Sequence, residues 1–341
     1  MIDIKNKKIA LIGGAGFIGH NLGIYLKDLG ADVHIIDGLS VNNLLYLHNT
    51  SATIPGDREL YIKIANSRME LLRKAGIPVY IEDARDYHLL SHTIGRIKPQ
   101  IVIHLAAVSH ANRSNKDPFS TFDHSLRTLE NNLDACRDSV EQFIYFSSSM
   151  VYGNFPAEGA TEETPCNPLG IYGHLKYSGE QMVKAYHNVF KLPYTIVRPS
   201  ALYGERCISR RVGQIFIENA VLGKDIMITG DGSDALDFTY IKDFCAGIKC
   251  IIENENAKNE TFNITYGQGR TIAEMSEIIK SNFSGIKVKY EPKDSLTPDR
   301  GTLIIDKARK MIGYKPQYPL QKGYVEYINW YKSFYKENYV K

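Results

Sequence analysis

The sequence predicts an α/β protein in which a doubly wound parallel sheet is followed by a smaller C-terminal α/β part. Short apolar segments alternate with helical stretches over the first 198 residues, as in βαβ units around a parallel sheet. After Arg198 the segments become shorter and richer in Gly and Asp. We therefore predict one domain over residues 1–198 and a second, substrate-binding domain over 199–341, with interleaving of the two allowed.

The composition is that of an ordinary folded protein. The 341 residues are 43% hydrophobic and 23% charged, which excludes collagen, coiled-coil and disordered classes. The net charge is only +3 and the basic residues are scattered, so we expect no nucleic-acid partner. There is no run of about 18 apolar residues, so no membrane span is expected. The five cysteines form no C-x-x-C pair; we expect no metal site, no disulfide framework and a reducing cytoplasm.

The individual elements follow from short apolar runs and helix-ending residues. The predicted strands are Lys8–Ile12, Val33–Ile36, a segment near Val79, Ile101–Leu105, Phe143–Phe146 and Tyr194–Val197. A first helix should end near Leu29, with Gly30 at its C-cap. Apolar residues at roughly helical spacing predict an extra amphipathic helix near 57–75. We expect this helix to cover the surface; a subunit contact or a lid is the alternative.

A glycine motif between the first strand and the first helix predicts a dinucleotide site. Residues 13–19 read GGAGFIG. Gly13, Gly16 and Gly19 would allow a tight turn, a close pyrophosphate and helix–strand packing. The N-terminus of the helix favours phosphate through its N–H groups and its dipole.

The acidic residues after the next two strands suggest which dinucleotide binds. Asp37 follows the motif by about 20 residues, where a carboxylate accepts both ribose hydroxyls of NAD and repels the extra phosphate of NADP. No Arg or Lys occurs in residues 38–42, so we predict NAD as the cofactor. Asp83, after the third strand, is placed to touch the adenine; a solvated loop carboxylate is the alternative.

Tyr172 and Lys176 are candidates for acid–base chemistry. They are one helical turn apart on one face, and a nearby ammonium is expected to lower the pKa of the phenol from about 10. Such a tyrosine can take a proton from a sugar hydroxyl as hydride leaves the same carbon. Residues 147–153, SSSMVYG, lie at the carboxyl end of a predicted strand, which is where open α/β sheets bind ligands. A hydroxyl there would hydrogen-bond the reacting oxygen.

Six motifs together resemble one protein family. They are GGAGFIG (13–19), HLAAVSH (104–110), SSSMVYG (147–153), YGHLK (172–176), RPSALYG (198–204) and GDGSDALDFTYIKD (230–243). Nearly the whole chain resembles the extended short-chain dehydrogenase/reductases, in their NAD-dependent nucleotide-sugar epimerase/dehydratase branch. The resemblance implies a Rossmann-type domain, a smaller substrate domain and a homodimer through helices near 120–137 and 172–188. Members oxidise a sugar carbon, usually C4, and then reduce, dehydrate or decarboxylate the keto intermediate.

The resemblance also implies roles for individual residues. Ser148 would be the catalytic hydroxyl, Tyr172 the base and Lys176 its partner on the nicotinamide ribose. The implied NAD contacts are Gly13, Gly16, Phe17, Ile18, Gly19, Asp37, Asp83, Ala84, Leu105, Ala106, Ala107, Tyr172 and Lys176. The expected contacts to a nucleotide-diphosphate sugar are Ser109, His110, Ser149, Met150, Arg206, Arg211 and Arg300.

Departures from the family pattern reduce the number of reactions expected for this chain. Dehydratases carry an acidic pair directly after the catalytic hydroxyl residue, where this chain has Ser149 and Met150. The Arg of the R-D-F motif is Leu236 and the Asn of N-x-Y-G is Ala201. The diphosphate must then rely on other guanidinium groups, Arg300 first, with Arg206, Arg210 and Arg211 in reserve.

These departures favour two reactions and leave others open. We predict a nucleotide-sugar 4-epimerase or a stand-alone 4-dehydrogenase. A 4-keto-sugar reductase is the next alternative, followed by a 4,6-dehydratase and a non-catalytic NAD-binding scaffold. A place in polysaccharide biosynthesis is an expectation at the level of the family.

Overall fold

The computed structural model describes residues 3–50, 53–108, 111–292 and 299–339, and the statements below concern these ranges. Their strands are β1 (Lys8–Ile12), β2 (Asp32–Ile36), β3 (Val79–Tyr80), β4 (Ile101–His104), β5 (Gln142–Phe146), β6 (Tyr194–Arg198), β7 (Ile226–Thr229), β8 (Ala235–Asp237), β9 (Glu260–Asn263), β10 (Gly269–Thr271) and β11 (Val288–Glu291).

The helices in these ranges lie mostly between consecutive strands. They are α1 (Phe17–Asp28), α2 (Leu44–His48), α3 (Arg58–Lys74), α4 (Tyr87–Ile97), α5 (Ala111–Lys116), α6 (Pro118–Phe122), α7 (Thr128–Cys136), α8 (Ile171–Phe190), α9 (Val212–Val221), α10 (Ile241–Ile252), α11 (Ile272–Asn282), α12 (Asp306–Ile312) and α13 (Leu320–Tyr339). A π-helical turn, Asp123–Arg127, joins α6 to α7.

Seven parallel strands form the central sheet, in the order β3-β2-β1-β4-β5-β6-β9. Each predicted strand is present in this sheet, which confirms the doubly wound α/β fold. All residues of β4, β5 and β6 are buried, as expected for parallel strands with helices on both faces. The strand order reverses between β1 and β4, so a crevice opens at the carboxyl ends of these strands.

The chain after residue 198 contributes to several sheets. It supplies β9 to the edge of the central sheet and forms two small sheets, β7 with β11 and β8 with β10. These small sheets and helices α9 and α11 pack together beyond the carboxyl ends of the central strands. A domain boundary near residue 198 stays a prediction.

The predicted extra helix is α3, and it does more than cover the surface. Asp57 begins it by accepting a hydrogen bond from the backbone N–H of Leu60. Ile64 and Leu72 on its inner face are fully buried in the main core. In addition, Tyr61 donates a hydrogen bond of 2.8 Å to Glu218 of α9. The helix α3 therefore links α9 to the core that surrounds the central sheet.

Candidate active site

A cleft of about 800 Å³ lies at the carboxyl ends of the central strands. Residues after β1, β2, β4, β5 and β6 line one wall, and residues of α9, β7 and β8 line the other. This is the position that the reversal of strand order predicts for ligand binding. None of the described helices is long and apolar enough to cross a membrane.

The glycine motif forms the wall that fits a dinucleotide. Gly13 has φ +80°, and a Cβ there would lie 2.7 Å from the backbone nitrogen of Ala106. A Cβ on Gly19 would lie 2.4 Å from the Cα of Gly14, so α1 packs closely on the turn. Gly16 precedes α1 without a side-chain cap, and the N–H groups of the first turn are therefore suited to an anion.

The acidic residue after β2 is fixed at the edge of this wall. The Asp37 carboxylate lines the cleft and accepts hydrogen bonds from the backbone N–H groups of Ala15 at 2.9 Å and Leu39 at 2.7 Å. Burial raises its pKa, which these two hydrogen bonds partly offset. A carboxylate has about four lone-pair sites, so the side chain keeps acceptor capacity for ribose hydroxyls.

The other predicted cofactor contacts lie in the same wall. Asp83 lines the cleft and its carboxylate is also held by the Arg85 guanidinium, which lowers its pKa. The remaining members that line the cleft are Phe17, Ile18, Ala84, Leu105, Ala106 and Ala107. The dinucleotide site predicted from the sequence is thus assembled in one place.

Ser148, Tyr172 and Lys176 meet at the centre of the cleft. Their exposed fractions are 7%, 9% and 5%, so all three act away from bulk solvent. The Ser148 hydroxyl accepts a hydrogen bond from the backbone N–H of Met150 at 3.2 Å, and it lies close enough to the phenol of Tyr172 to act on its pKa. The Lys176 ammonium donates to the carbonyl oxygen of Phe146 at 2.7 Å. The three groups are therefore fixed relative to the end of β5.

The electrostatics of this centre differ from the expectation for Tyr172. Burial raises the pKa of the phenol, and the positive charge of Arg211, the nearby Ser148 hydroxyl and the positive charge of Arg300 only partly offset that effect. The predicted lowering of this pKa by Lys176 is wrong for the chain by itself, because burial outweighs the nearby positive charges and Lys176 is not among the groups that act on the phenol. Burial in turn lowers the pKa of Lys176 to about 8.

A buried ion pair holds α8 in place behind this centre. Glu180, one turn after Lys176, accepts hydrogen bonds from Arg198 Nε at 2.9 Å and Nη2 at 2.7 Å. It also accepts one from the Ser147 hydroxyl at 2.5 Å. Arg198 reaches Tyr152 as well, at 2.9 Å. The pair therefore joins β5, α8 and β6 and sets the position of Lys176.

Two arginines lie on the substrate side of the cleft. Arg300 and Arg211 both line it, and Arg300 Nη1 lies 3.8 Å from the sulfur of Met150. Burial lowers the pKa of Arg300 to about 10, and the positive charge of Arg211 acts in the same direction. The two positive charges in this part of the cleft favour an anionic ligand. Guanidinium groups in particular suit a diphosphate. Ser149 also lines the cleft.

One other predicted substrate contact does not line the described cleft, and two fall outside the described residues. Arg206 lies outside the lining of the described cleft, because its guanidinium packs over the Trp330 ring at 5.4 Å, and its contact with the substrate stays a prediction. Ser109 and His110 lie outside the described residues. Arg210, a reserve candidate, reaches the cleft but binds the Tyr61 hydroxyl at 2.9 Å.

Several cleft residues were not predicted. Leu236 lines the cleft where the family pattern has an Arg, and β7 adds Met227, Ile228 and Thr229. The motif GDGSDALDFTYIKD begins directly after β7, and this adjacency was the available signal. Arg68 of α3 also reaches the cleft, although it belongs to none of the six sequence motifs.

Comparison with known proteins identifies the family. The sequence model of the NAD dependent epimerase/dehydratase family matches residues 9–265. The chain belongs to this family. A putative UDP-glucose 4-epimerase of Methanocaldococcus jannaschii is 30% identical, over 95% of this chain and 98% of its own length. The protein is thus an NAD-dependent enzyme.

Solved structures of family members agree in fold. The UDP-glucuronic acid 4-epimerase of Bacillus cereus, solved with UDP-glucuronic acid and NAD, is 26% identical with a TM-score of 0.83, covering 96% of this chain and 100% of its own. The UDP-N-acetylglucosamine 4-epimerase of Methanobrevibacter ruminantium, solved with UDP-N-acetylmuramic acid, is 25% identical with a TM-score of 0.81, covering 96% and 99%.

The position of Asp37 leads to a prediction about the choice of dinucleotide. Replacing Asp37 by Ala should weaken NAD binding by about 10–100-fold, the scale of a lost charge-assisted hydrogen bond. It should also relieve repulsion of NADP, so the preference for NAD should shrink. Titration of both dinucleotides into wild type and variant measures this. Asp83→Ala is the control, since it should change both affinities alike; a wild-type preference for NADP contradicts the prediction.

Proposed function

We propose that this enzyme interconverts the C4 epimers of a nucleotide-diphosphate sugar. The observation that carries the proposal is the meeting of Ser148, Tyr172 and Lys176 in a cleft that has a dinucleotide wall on one side and Arg211 and Arg300 on the other. The names of the relatives support the choice of C4 epimerisation over a stand-alone 4-dehydrogenation or a keto-sugar reduction.

Each of these residues has a distinct task in the proposal. NAD held on the dinucleotide wall would supply an acceptor for the C4 hydride and a donor of that hydride to the opposite face of the 4-keto sugar, which inverts C4. Tyr172 takes the proton of the C4 hydroxyl, and Ser148 hydrogen-bonds the same oxygen. Because burial raises the pKa of the phenol, its action as a base depends on nearby positive charge. Arg211 and Arg300 supply this charge from the substrate side, and Lys176 holds the nicotinamide ribose.

Among the described residues, the cleft lining lacks the acidic pair that a 4,6-dehydratase carries after its catalytic hydroxyl residue. After C4 oxidation, dehydration needs a base at C5 and an acid at C6, within about 3 Å of the reacting atoms. Ser149 and Met150 occupy the positions where dehydratases carry their acidic pair. The carboxylates that line the described part of the cleft are Asp37, Glu82, Asp83 and Asp234. The first three belong to the dinucleotide wall, and Asp234 acts on Arg300 as its opposing charge.

We also propose that two copies associate through α6, α7 and α8. Large apolar side chains are exposed on α6 and α8: Phe119 is 83% exposed, Val189 69% and Phe122 48%. Exposed apolar side chains of this size favour burial against a partner. The proposed location is the cytoplasm, which suits the thiols of the five free cysteines, and the proposed role is in polysaccharide biosynthesis.

The diphosphate is proposed to bind Arg300, and this leads to a prediction. Arg300→Ala should weaken nucleotide-sugar binding by about 10–100-fold, since a charge-assisted hydrogen bond is lost, and should spare NAD. Calorimetric titration of both ligands measures the two affinities. Arg309→Ala is the matched control and should leave both unchanged, because Arg309 pairs with the exposed Asp306 and lies outside the cleft lining. Unchanged nucleotide-sugar affinity in Arg300→Ala would transfer the role to Arg211.

The proposed function is tested with a panel of nucleotide sugars. The purified chain is incubated with UDP-, dTDP-, GDP- and CDP-linked hexoses, and the products are separated by chromatography. We expect one of them to give a mixture with its C4 epimer, and the same mixture when the reaction starts from that epimer. Failure to form a C4 epimer from any of them would contradict the proposal.

A further inference from the structure

Arg68 on α3 is a buried cation at the junction of two loops. Its side chain is 1% exposed, yet it reaches the lining of the cleft. Its Nε donates to the carbonyl oxygen of Arg206 at 3.0 Å, and its Nη2 donates to the same oxygen. Its Nη1 donates to the carbonyl oxygen of Asn42 at 3.4 Å. One guanidinium thus binds backbone atoms of two segments that are far apart in sequence.

The first of these segments is the cofactor loop, residues 38–43. It follows Asp37 directly, and Ser40, Val41 and Asn42 line the cleft. Its last residue, Asn43, donates a side-chain hydrogen bond of 3.1 Å to the carbonyl oxygen of Ala15 within the glycine motif. A change in the position of this loop would therefore also move the glycine motif of the dinucleotide wall.

The second segment is the substrate loop, residues 204–211. It ends with Arg211, which lines the substrate side of the cleft, and residues 207–210 line it as well. Arg206 has φ +65°, which helps to turn its carbonyl oxygen to Arg68 while its side chain packs on Trp330. The adjoining Arg210 binds the hydroxyl of Tyr61, another residue of α3. The substrate loop is therefore held on the same helix.

We propose that Arg68 is a positioning residue that couples the binding of NAD to the binding of the nucleoside diphosphate by tying the cofactor loop to the substrate loop. The inference rests on the proposed function, which places a nucleotide sugar beside Arg211. A planar guanidinium with donors in fixed directions holds two carbonyl oxygens in one geometry, which a flexible ammonium does not do. The Asp37 carboxylate is among the groups that raise the pKa of the Arg68 guanidinium. The carboxylate proposed to bind the ribose therefore interacts electrostatically with the guanidinium that joins the two loops.

Such coupling is reciprocal, and it is measured as a ratio of affinities. A first titration selects whichever of UDP, dTDP or GDP binds the wild-type chain most tightly. The dissociation constant of NAD is then measured for the full chain with and without saturating amounts of that nucleotide. We expect the nucleotide to tighten NAD binding in the wild type by about fivefold or more. In Arg68→Gln and Arg68→Met this ratio should fall to about one.

A control variant separates coupling from stability. Leu72→Ala removes a fully buried side chain from the inner face of α3 but leaves Arg68 and its hydrogen bonds to both loops in place, so it should lower the melting temperature and keep the ratio. Arg68→Lys, which keeps the charge, should lose the ratio as Arg68→Gln does, and it serves if the uncharged variants fail to fold.

Three results would overturn the inference. They are a ratio of one in the wild type, a ratio retained in every Arg68 variant that folds, and an equal loss of the ratio in Leu72→Ala. Failure of the proposed function is a separate outcome, since it is read from the nucleotide-sugar panel and from nucleotide binding without NAD. A chain that forms a C4 epimer but shows no ratio contradicts only the inference about Arg68.

Discussion

Replacing Tyr172 by Phe is expected to slow turnover by about 10²–10⁴-fold, the usual scale for a positioned acid–base group. The substitution removes the phenol hydroxyl that lies beside Ser148 in the cleft lining. It keeps the ring, which is 9% exposed, so packing should persist. Because the dinucleotide wall is built by other residues, the affinity for NAD should change little.

The test compares turnover and NAD binding in two Tyr→Phe variants of the same helix. Tyr186→Phe is the matched control, because Tyr186 packs on Phe190 and lies outside the cleft lining. It should keep wild-type turnover. Near-normal activity of Tyr172→Phe, or an equal loss in Tyr186→Phe, would remove Tyr172 from the proposed role.

Replacing Arg198 by Met is expected to lower the free energy of unfolding by about 3–5 kcal/mol, because breaking a buried ion pair leaves one charge unpaired. The side chains of Arg198 and Glu180 are 4% and 0% exposed. After the substitution Glu180 would keep the Ser147 hydroxyl but lose both guanidinium contacts. Turnover should fall as well, since Glu180 sets the turn of α8 that carries Lys176.

Denaturant unfolding followed by circular dichroism measures this loss. The control is Arg309→Met, which breaks a pair with Asp306 whose side chains are 52% and 76% exposed. An exposed pair of this kind contributes about 0–1 kcal/mol. A second variant, Arg198→Met with Glu180→Leu, removes both charges and should recover part of the loss. Equal destabilisation in Arg198→Met and Arg309→Met would contradict the account.

The parts of the fold that the sequence predicts are those that depend on local pattern. Each of the predicted strands is a short apolar run, and apolar runs of that length are buried wherever they occur in a parallel sheet. The glycine motif is equally local, because a Cβ at Gly13 or Gly19 meets backbone atoms. Asp37, Tyr172 and Ser148 reach one cleft because each stands at a fixed offset from a strand end or a helix face.

The parts that the sequence does not predict depend on packing between distant segments. Arg206 and Arg211 lie five residues apart, and the sequence does not distinguish them as diphosphate ligands. In the structure the guanidinium of Arg206 packs on Trp330 of α13, whereas Arg211 lines the cleft. The pKa of Tyr172 is raised because burial outweighs nearby positive charge, and a Tyr–Lys spacing carries no measure of burial. Arg68 acts through backbone carbonyls of two loops, and backbone acceptors have no sequence signature.

The central claim is that the enzyme oxidises and re-reduces C4 without other chemistry on the sugar, and product analysis tests it most directly. The active nucleotide sugar from the panel is incubated with the enzyme, and the product is examined by mass spectrometry and by nuclear magnetic resonance at C4. We predict an unchanged mass and an inverted configuration at C4, with no net reduction of added NAD. Loss of one water would contradict the claim and indicate a 4,6-dehydratase, and loss of two hydrogens with reduction of NAD would indicate a 4-dehydrogenase.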